Sequence, residues 1–150
     1  MSSKVHALRG LSSLVAAAAL VCGLPPFAQA QERLPLRIGE AQLRVEVALS
    51  DLERARGLME RSELPADGGM LLRFEQPGRH CLWMRNTPLP LSAAFVDDAG
   101  QIVDLIDLEP LSTEIRCSKE PARYALEVNQ GWFAEHAIGP GARVQGLPGE

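Results

Sequence analysis

Aromatic side chains are scarce in this sequence, at 5% of 150 residues, and histidine and cysteine number only three each. The compact catalytic patterns are missing: there is no HExxH, CxxC, GxSxG or Walker motif. Zinc-peptidase, thioredoxin-like, esterase and nucleotidase readings therefore lack support. Positive charge is also in short supply. Residues 31–150 hold 13 basic and 19 acidic side chains, a net charge of −6, so bulk charge argues against nucleic acid or an anionic membrane as partner. No apolar run is long enough to cross a hydrocarbon core of about 30 Å comfortably, and there is no internal repeat or low-complexity tract. What remains, 46% hydrophobic and 23% charged with 13 Gly and 11 Pro, is the composition of one ordinary globular domain.

The first 30 residues read as a signal peptide. A positive segment with Lys4 and Arg9 precedes an apolar run over 11–24, Pro25 and Pro26 break any helix, and Ala28-Gln29-Ala30 supplies the small residues of a cleavage site. Val21 before Cys22 argues against lipoprotein processing, and no arginine pair marks the twin-arginine route. The expectation is a periplasmic or secreted protein, cut after Ala30 and left with no stable membrane anchor. Two cysteines then remain, Cys81 and Cys117. An even pair in an oxidising compartment suggests one bridge, and two separate buried thiols are the alternative.

Residues 31–35 read as a flexible lead-in and 36–150 as a single β-rich domain. Alternating apolar and polar residues over 36–38 and 43–47 predict a hairpin. Ser50-Asp51-Leu52-Glu53 is a capping box, predicting a helix to about Met59. Alternation around Met70, Leu72 and Phe74 predicts a strand, residues 76–79 a turn, and 81–84 a further strand. Residues 93–96 and 101–108 flank the hairpin loop Asp97-Asp98-Ala99-Gly100. Tyr124, Leu126 and Val128 mark a strand face, Asn129 a helix cap for 131–138, and 142–145 a last strand. The expected fold is α+β but mostly β: a compact antiparallel sheet or small barrel of about seven strands with two short helices.

Several separated motifs carry a resemblance. RARGLMER, GGMLLRFE and WMRNTPLPL, followed by AFVDDAGQIV and YALEVNQGW, resemble the family known as domain of unknown function 192. The resemblance covers most of residues 38–145. It implies a small β-rich domain, often exported, with no established activity. It also implies that Arg54, Gly57, Leu58, Met59, Arg61, Gly69, Met70, Trp83, Met84, Asn86, Thr87, Gly100 and Glu127 belong to the family's pattern. Ser92 stands where the family usually carries an Asp, so this chain lacks that carboxylate.

The candidate chemistry is thin. Placed on a strand, Trp83 and Arg85 share one face and Met84 and Asn86 the other. An aromatic beside a guanidinium and an amide suits a ligand cleft, whereas a core tryptophan and an asparagine serving the proline-rich turn explain the same residues. Arg54, Arg56 and Arg61 offer forked groups for a carboxylate or phosphate. A solvated helix face paired with Asp51, Glu53 and Glu60 is the bland alternative. Residues 31–90 balance nine basic against nine acidic side chains, whereas 91–150 hold four against ten, which leaves the first half the better place for an anion. Met59, Met70, Met84, His80 and Cys81 would suit copper(I) only if they converged, and methionine more often fills core gaps. No metal and no cofactor is therefore expected.

Glu127 reads as lying on the polar face of its strand with Asn129, either as an acid–base group or as the buried partner of Arg54. Pairing with Arg54 is the expectation, with Arg56 facing away and free for a ligand. Three functions stay open. The first is a non-catalytic binding or accessory domain for a small or polymeric ligand, using Arg56, Trp83, Arg85 and Asn86. The second is a cell-envelope hydrolase using Glu127 as acid–base residue. The third is a structural interaction protein. They part on whether Arg56, Trp83, Asn86 and Glu127 converge in an open cavity, and whether that cavity holds a carboxyl of raised pKa.

Overall fold

Nine strands and two short helices follow one another in a computed structural model that describes residues 32–149; the expected signal peptide lies outside the described residues. β1 (Leu34–Ile38) and β2 (Ala41–Ala48) form the expected hairpin. β1 starts two residues before the apolar alternation does, so Leu34 and Pro35 belong to the sheet and not to a lead-in. Pro35 is tolerated because β1 meets its second neighbour only at Arg37 and Ile38, so no N–H is needed on that side at Pro35.

The capping box is present as read. Glu53 N–H donates to Ser50 Oγ while the Glu53 carboxylate accepts from the Ser50 N–H. Helix α1 nevertheless ends early, at Asp51–Arg56, because Gly57 takes φ +47° and turns the chain. The connection over 49–67 then returns to β3 (Gly68–Gly78), which pairs with β2 in parallel. A parallel pair needs such a crossover, and a reading based on short hairpin links does not anticipate it. β3 runs into the expected turn, to Gly78, with an irregular register between Arg73 and Gly78 that accommodates Pro77.

β5 (Leu91–Val96), β6 (Ile102–Leu108) and β8 (Ala122–Asn129) complete the large sheet with β9 (Val144–Gln145), in the order β6-β5-β8-β3-β2-β1-β9. Backbone bonds from Ile102 N–H to Ala142 O and from Val144 N–H to Gly100 O link the two ends, so the sheet curls toward a half-barrel. β4 (Cys81–Leu82) and β7 (Arg116–Cys117) make a separate two-stranded flap. Helix α2 (Trp132–Glu135) is shorter than expected and is not capped by Asn129. The Asn129 amide instead donates to the carbonyls of Leu64 and Pro65.

Both faces of the sheet are covered. One core joins Leu36, Val45, Leu126, Val128, Trp132 and their neighbours. The other gathers Leu58, Met70, Leu72, Met84 and Phe95 beneath the chain that follows α1 and β4. This second layer decides the fate of Glu127.

Candidate functional site

The second layer is not filled completely. It encloses a cavity of about 190 Å³ between α1 with the turn after it, β3, the 81–87 segment and the end of β8. Its wall from α1 carries Arg54, Arg56 and Gly57. Trp83, Met84 and Thr87 form the opposite wall, and Glu127 lies at its base. Three of the four residues expected to converge, Arg56, Trp83 and Glu127, therefore line one cavity. Asn86 is not among them.

Glu127 is only 6% exposed. Its neighbours across the sheet are Met70 on β3 and Ala93 on β5, neither able to bond a carboxylate. Above it sits Gly57, at which an added Cβ would stand 3.8 Å from the Glu127 Oε2. Among the described residues the Glu127 side chain has no hydrogen-bond or ion-pair partner. Burial pushes its pKa up to about 7, with no opposing pull from a neighbouring cation. The polar-face reading fails because alternation places Glu127 opposite Leu126 and Val128 but says nothing about whether that side meets solvent. Here it meets another layer of protein.

The expected Arg54–Glu127 pair does not form. Arg54 turns toward Asp51 in its own helix and donates to the carbonyls of Leu49 and Arg73, 2.7 Å away in the latter case. With these acceptors met, its guanidinium sits 6.0 Å from the Phe74 ring centroid and leaves the carboxyl alone. The tie between the α1 region and the sheet is instead Arg61 to Glu46. The two terminal guanidinium nitrogens donate to the Glu46 carboxylate oxygens, at 2.9 and 2.5 Å, and that hydrogen-bonded pairing holds the Glu46 pKa below its ordinary value. Fork-to-carboxylate geometry of this kind is the strong form of the interaction. Sequence reading missed the pair because Arg61 falls beyond the actual helix end, where helical spacing no longer applies.

Arg56 is exposed, and its side chain has no partner among the described residues. Trp83 is 42% exposed, whereas Met84 is only 2% exposed. Neither lies on a strand, since β4 stops at Leu82. Arg85 lies over Trp83, 5.5 Å from the ring centroid, and is not a cavity wall. Asn86 adopts φ +55° and its carbonyl accepts from Glu60 N–H at 2.8 Å. Its place in the structure is in a turn, where asparagine tolerates the left-handed backbone.

Cys81 and Cys117 face each other across β4 and β7 and are joined by a disulfide. The bridge borders the cavity through Cys81. With its sulfur in the bridge, and with His80 stacked on Phe74 at 3.6 Å between ring centroids, the soft ligands are not brought together. Only Met59 and Met84 of that set share the cavity with Cys81. Ser92 is buried; its hydroxyl donates to Asp107 on β6 at 2.6 Å and accepts from Gly131 N–H at 3.0 Å. A carboxylate from the adjacent strand thus stands next to the position where the family resemblance implies one. Residues that sequence reading did not single out for a site, Leu72 and Leu91 among them, form the cavity's apolar walls. Their signal was only that of core positions.

A curled, mostly β domain with a small cavity around a solitary carboxyl is the class these features define. The chain belongs to the domain-of-unknown-function 192 family, described as an uncharacterised ACR family, whose pattern matches residues 34–146. It is similar to a crystal structure of a Sinorhizobium meliloti 1021 protein that carries a provisional label of transcription regulator. That likeness is 35% in identity over 77% of this chain and 92% of the other, with a TM-score of 0.72. A protein of unknown function from Novosphingobium aromaticivorans DSM 12444 is 29% identical over 82% of this chain and 91% of its own, with a TM-score of 0.74. Among curated proteins, none matches.

Proposed function

We propose that this is an exported domain that binds a small ligand in the cavity above Glu127. One observation carries the reading: a buried carboxyl that opens on a cavity and has no partner among the described residues. Burial disfavours its charged form, while its oxygens are not sealed from the cavity, so whatever fills that space supplies their hydrogen bonds. A ligand that completes this bonding explains a carboxyl at such a place. The apolar walls supply contact area, and Trp83 and Arg56 stand at the rim. The signal-like first 30 residues and the Cys81–Cys117 bridge support an oxidising compartment outside the cytoplasm.

The regulator label on the Sinorhizobium protein finds little support in this chain. Its two described helices span six and four residues, short for reading a major groove, and its charge is negative. Acid–base catalysis is the second reading, favoured by one fact: a carboxyl with a pKa of about 7 exchanges its proton near neutrality. A two-carboxylate glycosidase mechanism is a poor fit, because Glu127 is the cavity's one carboxylate among the described residues.

The test is a fragment screen read by amide chemical shifts on wild type and on Glu127→Gln. Ligands should shift residues 54–59, 82–84 and 127, and should bind at least about tenfold more weakly to the variant, about 1.4 kcal/mol. Shifts confined to other surfaces overturn the reading. Turnover of a bound ligand that stops in Glu127→Gln while binding persists would mark the enzyme instead.

A further inference from the structure

The cavity has two polar ends of opposite character, a buried carboxyl and a solvent-exposed guanidinium, and they do not pair with each other. Glu127 is at the base, between Met70 and Ala93 and under Gly57. Arg56, the residue before Gly57, is at the rim, exposed and without a partner among the described residues. Both line the same space. Arg54, the other charged side chain from α1 that lines the cavity, is engaged by Asp51 and by two carbonyls. The 81–87 segment presents to the cavity a disulfide sulfur, Trp83, Met84 and Thr87, none of them charged. Between the two ends the walls are apolar, with Leu72, Met84 and Leu91 among them.

We propose that the cavity takes a zwitterion of amino-acid size, its ammonium group on Glu127, its carboxylate on Arg56 and its apolar body between them. This rests on the binding reading above and names its ligand class. The volume, about 190 Å³, is below that of sites for drug-sized molecules and fits a compact metabolite. A carboxylate buried without a cation gains most from a ligand that brings one, since an ion pair in a dry site is far stronger than in water. The guanidinium at the rim is solvated and gains less, but its fork matches a carboxylate and sets the orientation. A purely anionic ligand would satisfy Arg56 but would force Glu127 to remain protonated. A purely cationic one would leave Arg56 unused and meet its repulsion.

Ion pairing at the base requires Glu127 to lose its proton, so binding at pH 6 should release about one proton per ligand to the buffer. The experiment is calorimetric titration of the protein at pH 6 in two buffers of different ionisation enthalpy. The probes are 6-aminohexanoate, whose two charges stand at opposite ends of an apolar chain, hexanoate, which lacks the ammonium group, and pentylamine, which lacks the carboxylate. 6-Aminohexanoate should bind with proton release, and each truncated probe at least about tenfold more weakly. Glu127→Gln should abolish both the proton release and the preference over hexanoate. Arg56→Gln, at an exposed position, should abolish the preference over pentylamine alone. Hexanoate binding as tightly as 6-aminohexanoate, with no proton release, overturns the proposal in favour of a simple anion. Pentylamine binding as tightly as 6-aminohexanoate overturns it in favour of a simple cation. If none of the three binds while fragments still shift the cavity amides, the ligand class is wrong and the site stands. If neither occurs, both readings fail.

Discussion

Glu127 weakens the fold wherever it is ionised. Its folded pKa, about 7, lies above the ordinary value of 4.5, so the folded state holds its proton longer than the unfolded state does. Its contribution to stability is therefore most favourable below pH 4.5 and declines as pH rises toward 7, levelling off above it. The full loss is about 3 kcal/mol. Glu127→Gln, which cannot ionise, should match wild type in urea unfolding at pH 4 and exceed it by about that amount at pH 8. A difference that does not change with pH would mean that the carboxyl is not desolvated. Glu46 behaves in the opposite sense. Its pKa is lowered by the Arg61 bond, so its contribution is present above the ordinary carboxylate range and is lost as pH falls through the lowered value. The Arg61 side chain is 39% exposed, so solvent screens part of the pair, and Arg61→Ala should cost about 1–2 kcal/mol at pH 7. A double-mutant cycle should find coupling between Arg61 and Glu46 and none between Arg54 and Glu127.

The β4–β7 flap is the element whose integrity matters most to the cavity. It contains two residues per strand, too few for ladder bonds to hold it alone. The Cys81–Cys117 bridge does that work, closing a loop with a separation of 36 residues. In the chain-entropy model such a loop is worth about 4 kcal/mol. Alkylation of native protein should gain two thiols per chain after reduction, and Cys117→Ser should lower the melting temperature and loosen Trp83. Full labelling without reductant would remove the bridge from the account. Most elements were legible because their signals are local. The Ser50–Glu53 capping box and the Asp97–Gly100 loop act within four residues. Element ends were less legible. Gly57 stops α1 before the apolar spacing does, and Pro77 sits inside β3 at a register shift that only the partner strand β8 permits.

At the scale of the whole molecule, the proposal of export makes its own prediction. Protein recovered from the cell envelope should begin at Gln31 or within a residue or two of it, as read by intact mass. A retained Met1 would contradict it. The sequence by itself determined the β-rich class, the order of hairpins, the first helix cap and the family, because these depend on alternation, turn chemistry and short motifs read along the chain. It also selected Arg56, Trp83 and Glu127. Tertiary structure alone decided the parallel β2–β3 pair, the Arg61–Glu46 tie and the isolation of Glu127. Alternation assigns a residue to a side of a sheet, but only packing decides whether that side faces water. When the α1 turn and the 82–84 segment close over β8, a carboxylate that reads as the buried partner of Arg54 becomes an unpaired, desolvated carboxyl at the base of a cavity.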